Sequence, residues 1–321
     1  MTTYNFDREI DRKKTNSLKY DFAVERGRDV DVWPLGVADM DFQAPKPVLD
    51  ALQNAVSHGI FGYSEVKGEY FDALYRWFDS RFDWQPKSEW LVKTPGVVFA
   101  LAMAVRALTK EGDSVLIQPP VYYPFFEVIR DNNRKIVESP LLLTDGHYEI
   151  DFDDLEEKIA SQTVKLFLLC SPHNPVGRVR TKDALPKLGE LCDRYHVFVV
   201  ADEIHCALVY EGHDYTPFAS LSERFRQHSV TCVSPSKAFT LPGLTIANII
   251  PADEGVRRRI DRAININEVC DVNPFGVIAT IAAYNEGGAW LAALRKYLWE
   301  NYAYLYRFFE QRLQHYPVLP L

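Results

Sequence analysis

Between about residue 90 and residue 250, short apolar runs alternate with longer amphipathic ones, and this alternation narrows the fold more than any other feature. "SVLIQPP" (114–120), "KIVESPL" (135–141), "VKLFLLCSP" (164–172), "VFVVADEI" (197–204), "SVTCVSPS" (229–236) and "LTIANIIP" (244–251) read as strands. Several are nearly continuous in Val, Ile, Leu and Phe, as strands covered on both faces must be. The segments 96–109, 122–133, 153–161 and 184–195 carry helical spacing. The pattern predicts an α/β fold, a mainly parallel sheet sandwiched by helices. In such sheets ligands bind at the carboxyl ends of the strands, so the residues just past each strand carry the functional question.

The flanks differ. Residues 1–50 are polar and then run through "VWPLGVADMDFQAP" with little strand–helix alternation, while 276–316 is one long helical pattern broken near Gly287–Gly288. The expected organisation is an N-terminal arm with part of a small domain (1–50), a large ligand-binding domain (51–285), and a bridging helix that opens a smaller C-terminal α+β domain (286–321).

Bulk properties exclude several function classes. A net charge of -8 and a pI near 5.6 argue against nucleic-acid binding, which needs a basic footprint. No apolar run approaches membrane-spanning or secretory type, so a cytoplasmic protein is expected. The five cysteines (Cys170, Cys192, Cys206, Cys232 and Cys270) are scattered, as reduced thiols would be, and the histidines show no metal-ligand spacing.

Polar groups stand at four strand ends. "SPHNPVGR" places Asn174 and Gly177, "ADEIH" places Asp202 and His205, "SPSKAF" places Ser234, Ser236 and Lys237, and "PPVYYPF" places Tyr122 and Tyr123. Separately, "TPGVV" (94–98) runs directly into a helix. Each has an ordinary reading: a turn initiator, a cap, a strand terminator or a solvated charge. Together they bring a carboxylate, a lysine, an amide, hydroxyls, an aromatic ring and helix N–H groups to one crevice. That inventory suits an electron-sink cofactor with a protonated ring nitrogen, an aldehyde and a phosphate.

The order "SPHNPVGR", "ADEIH", "SPSKAF" resembles fold-type I pyridoxal-phosphate enzymes of the aminotransferase superfamily. "VADMDF" (37–42), "FGYSE" (61–65), "TPGVV", "PPVYYPF" and "DEIHCAL" are similar to its cystathionine β-lyase or C–S lyase branch, which includes a maltose-regulon repressor. The resemblance implies that Lys237 carries pyridoxal 5′-phosphate as a Schiff base, Asp202 pairs with the pyridine nitrogen, Asn174 donates to the phenolic oxygen and Tyr122 stacks on the ring. It implies a phosphate site of Gly96, Val97, Ser234 and Ser236, with His205 at the cofactor. It also implies a substrate pocket lined by Ala38, Asp39 and Asn174, and a homodimer in which Tyr63 reaches the neighbouring phosphate.

There are three departures from the wider superfamily. Thr245 stands where many aminotransferases clamp the phosphate with arginine, and His205 where they carry tyrosine; both favour the lyase branch. No residue up to Leu321 matches the arginine that binds the substrate α-carboxylate, so the second domain is expected to be incomplete. The implied activity is β-elimination of sulfur amino acids to thiol, pyruvate and ammonia. An aminotransferase for aromatic or related amino acids, a protein-binding regulator that retains the cofactor, and an inactive fragment are the alternatives.

Overall fold

The computed structural model describes residues 4–29, 32–161, 163–269 and 271–320. Its strands are β1 (Val92–Thr94), β2 (Ser114–Ile117), β3 (Lys135–Glu138), β4 (Leu142–Thr144), β5 (His147–Glu149), β6 (Val164–Cys170), β7 (Phe198–Asp202), β8 (Ser229–Val233) and β9 (Ala247–Pro251). Strands β4 and β5 pair with each other, and the rest form one 7-stranded sheet in the order β1–β9–β8–β7–β6–β2–β3.

The neighbours from β3 across to β8 are parallel, as the alternation predicts. Strand β9 is antiparallel to both β8 and β1. The cause is local: no long helix separates β8 from β9, and a short connection returns the chain in the opposite direction.

Both faces of the sheet are covered. Along β6, Leu166, Leu168 and Cys170 join one core, shared with helices Val97–Leu108, Pro124–Arg130 and Glu254–Asn265. Phe167 and Leu169 join the opposite core, with helices Phe152–Ser161, Ala184–Arg194 and Glu223–Gln227. Alternate residues of a strand point to opposite faces, which is why the run must be apolar throughout.

A third core holds helices Lys46–His58, Gly68–Phe82 and Pro274–Glu286 against the chain around Phe239. Trp77 and Tyr284 stack there at 4.9 Å. Helix Gly288–Arg312 follows the break that the two glycines mark. Within Pro274–Glu286, a Cβ on Gly276 would lie 2.6 Å from the Leu244 carbonyl oxygen and 2.9 Å from Ile246 Cβ. A backbone carbonyl cannot retreat as a flexible side chain can. Gly276→Ala is therefore expected to destabilise the fold by about 1–3 kcal/mol, seen as a lower urea midpoint. An unchanged midpoint would show that residues 244–246 yield freely.

Among the described residues no helix is long and apolar enough to cross a membrane, and no group of His, Cys, Asp and Glu could hold a metal ion. Cys170, Cys192, Cys206 and Cys232 are buried free thiols; Cys270 lies outside the described residues.

Candidate active site

Strand β2 is followed by β3 on one side and then by β6 on the other, which makes the β2/β6 boundary a topological switch point. In open α/β sheets ligands bind at such a point, outside the carboxyl ends of the strands. Tyr122 follows β2, Asn174 follows β6, Asp202 ends β7, and Lys237 follows β8.

Asp202 is 5% exposed, and its Oδ1 accepts a hydrogen bond from the Ile204 N–H at 3.1 Å. Burial pushes its pKa up to about 7, against the pull of that N–H and of the Lys237 charge. Its neighbour Glu203 is equally buried and raised, to about 8, but its surroundings satisfy it: the Phe218 N–H donates to Oε1 at 2.8 Å and the Tyr215 hydroxyl to Oε2. Glu203 is a fold residue. Asp202 is a buried carboxylate with one neutral donor among the described residues.

Beyond β8, the Ser234 hydroxyl donates to the Ile246 carbonyl at 2.7 Å and accepts from the Ser236 N–H at 3.1 Å. These bonds fold the loop and commit Ser234's proton, leaving Ser236 as the hydroxyl of the pair without such a bond among the described residues. The Lys237 ammonium donates to the Ala38 carbonyl at 2.7 Å. Burial lowers its pKa, partly offset by Asp39 and Asp202.

Tyr122 is half-buried with its pKa raised, first by burial and then by the charges of neighbours that include Asp202. Tyr123 lies beside it, with ring centroids 5.3 Å apart. Burial, reinforced by Lys237, holds His205 near 4, so its imidazole is neutral at pH 7. The Asn174 backbone N–H donates to Cys170 Sγ at 3.4 Å, and its side-chain amide has no partner among the described residues.

Gly96 is the N-cap of helix Val97–Leu108 and supplies no side-chain cap. Strand β1 runs parallel to β8 in direction, so this uncapped end opens on the same edge of the sheet. Helix N–H groups there suit an anion.

The electrostatic couplings thus link Tyr122, Asp202, His205, Lys237 and Asp39 in one place. Tyr63 stands apart. It is 97% exposed, within a segment whose Ile60 and Phe61 are also exposed.

One group went unread in the sequence. Arg12 grips Asp39 with both Nη atoms (2.8 and 3.1 Å) and reaches Asp41 at 2.8 Å. Lys19 Nζ donates to Asp41 at 2.7 Å and to the Asp39 carbonyl at 3.1 Å. Burial works against the Asp41 carboxylate, but Lys19 and Arg12 hold its pKa down. This cluster fixes the segment whose Ala38 carbonyl meets Lys237. No local motif could have revealed it, because the partners lie 20 to 29 positions apart. Arg12→Ala is expected to speed amide hydrogen exchange at residues 38–41 several-fold, in line with about 1 kcal/mol for a partly exposed bidentate pair. Unchanged exchange would mean that Lys19 suffices.

The profile of the family "Aminotransferase class I and II" matches residues 30–319. Cystathionine beta-lyase PatB of Bacillus subtilis is 46% identical over 297 residues, covering 92% of this chain and 77% of that protein. Protein MalY of Escherichia coli is 31% identical over 304 residues, with 94% and 77% covered. The PLP-bound C-S lyase from Staphylococcus hominis superposes with a TM-score of 0.92 at 36% identity, covering 98% of this chain and 79% of that one.

Proposed function

The chain belongs to the class I and II aminotransferase family, and from that premise we propose that it is a pyridoxal-phosphate-dependent carbon–sulfur lyase. It would act on amino acids with sulfur at Cβ, releasing thiol, pyruvate and ammonia. The observation that carries the reading is the Asp202 carboxylate, buried at the end of β7 within electrostatic reach of Lys237 and bonded, among the described residues, only by the neutral Ile204 N–H.

The residues fit the cofactor. Asp202 offers a buried negative charge to a protonated ring nitrogen, and Lys237 a primary amine to an aldehyde. The Asn174 amide is free to meet the phenolic oxygen, and the Tyr122 ring to cover the cofactor face. The helix start at Gly96 and Val97, with Ser236 and the loop that Ser234 braces, offers donors to the phosphate. When bound, pyridoxal phosphate withdraws the electrons of a broken Cα–H bond, which lets a thiolate leave Cβ.

The chain's own work is proton handling and placement. The Lys237 amine, its pKa lowered by burial, accepts the α-proton at Nζ and can return it to the departing sulfur. Asp202 would hold the proton of the bound cofactor's ring nitrogen. His205, neutral beside Lys237, adds no competing charge. The clamped 38–41 segment, with Asn174, borders the space for the substrate's carboxylate.

The same reading includes a cytoplasmic homodimer, with the exposed Ile60, Phe61 and Tyr63 covered by a second copy and Tyr63 serving its phosphate. In this reading residues 51–285 are the cofactor domain, 1–50 the arm with part of a small domain, and 286–321 the bridging helix and the start of the C-terminal small domain. The B. subtilis and S. hominis relatives, both named for carbon–sulfur cleavage, support the lyase over the transaminase.

Assaying L-cystathionine with and without an added 2-oxo acid tests the proposal. Equal pyruvate release in both is expected. Turnover that requires the oxo acid would make the protein a transaminase.

A further inference from the structure

In the loop after β6 lies a buried cation that the chemistry above does not use. Arg180 is 5% exposed, and its Nη2 lies 2.7 Å from His173 Nδ1 and 3.4 Å from Gln118 Oε1. Its Nε has no partner among the described residues. Among the described residues the ionisable groups acting on it are the Cys170 thiol and a second cation, Arg178, with no carboxylate. Burial lowers its pKa only to about 10, so it is charged at pH 7. A buried guanidinium without an acid is costly, and an apolar residue of similar volume would often be no less stable there.

The arrangement has a direction. A guanidinium can only donate, so His173 Nδ1 must be the acceptor. Burial and the Arg180 charge hold His173 near 3, so the ring is neutral and its one proton sits on Nε2. Nε2 lies 2.9 Å from the Pro120 carbonyl oxygen, which therefore receives it. The chain of bonds runs Arg180 to His173 to Pro120, from the loop after β6 to the loop after β2. Those loops flank the topological switch point. His173 immediately precedes Asn174, and Pro120 lies two residues before Tyr122.

We propose that Arg180 and His173 are positioning residues: Arg180 fixes the His173 tautomer, and His173 ties the Tyr122 loop to the Asn174 loop at the spacing a planar cofactor ring requires. The proposal rests on the cofactor reading above. Neither residue touches the reacting atoms, and their effect passes through Tyr122 and Asn174.

Arg180→Met removes the charge and keeps the bulk; Arg180→Lys keeps the charge with a different donor geometry and serves if the methionine variant does not fold. Imidazole nitrogen NMR on cofactor-free protein should find the His173 proton on Nε2 in the parent, with no titration between about pH 5 and pH 9. In the variant the Nδ1 form should become populated. Spectral titration with pyridoxal phosphate should show roughly tenfold weaker binding, the order of one lost hydrogen bond, with the thermal midpoint of cofactor-free protein unchanged or higher. A lower midpoint with unchanged cofactor affinity would mean that Arg180 only supports the fold, and the proposal fails. So does a parent His173 protonated on Nδ1. A parent that forms no Lys237-dependent chromophore would overturn the cofactor reading itself, and the positioning role with it. A chromophore formed equally well by parent and variant would overturn the positioning role alone.

Discussion

Lys237→Ala is expected to abolish turnover while leaving the fold intact. Lys237 is only partly buried, and its ammonium, among the described residues, bonds the Ala38 carbonyl of a segment that Arg12 and Lys19 already clamp. Removing it should therefore cost little stability. The chemistry loses both the covalent anchor and the base that takes the α-proton. A positioned general base alone contributes about 10²–10⁴-fold, so steady-state pyruvate release should fall by at least that factor. Retained turnover in a correctly folded variant would exclude Lys237 as the base.

Asp202→Asn should separate activity from stability. Burial raises the Asp202 pKa from its usual 3.8 to about 7, so the folded state binds more protons than the unfolded state between those values. Stability then falls as pH rises from 4 to 7, and above 7 the full cost of the buried charge is present. Asparagine removes that cost. Cofactor-free Asp202→Asn should be more stable than the parent at pH 8, by on the order of a few kcal/mol, with the gap closing toward pH 4. Turnover should fall roughly 100-fold or more, because an amide cannot hold the ring nitrogen protonated. A variant less stable at pH 8, or one with parental rates, would contradict the assignment.

The sheet was legible because its strands are buried on both faces, which forces long apolar runs such as that of β6. What the pattern could not give was direction. β9 reads as apolar as the parallel strands of the sheet, and its reversal follows from the short connection after Lys237. Strand β1 and the β4–β5 hairpin are only three residues per strand, too short for a period to register.

Site residues were legible in proportion to how sharply they break an apolar run. Asp202 and Lys237 end buried strands with charge. Arg12, Lys19 and Asp41 read as ordinary surface charge, and their meaning depends on contacts more than twenty positions apart. Ser234 was expected at the phosphate, and the structure places its hydroxyl on the Ile246 carbonyl. Composition cannot distinguish those two uses of one hydroxyl.

These strand ends would form a pyridoxal phosphate cradle with Lys237 as its anchor. Borohydride reduction of the cofactor-loaded protein, followed by peptide mass analysis, tests it most directly. A single phosphopyridoxyl group is expected on the peptide carrying Lys237, absent after Lys237→Ala. A label on any other lysine, or none after full loading, would contradict it.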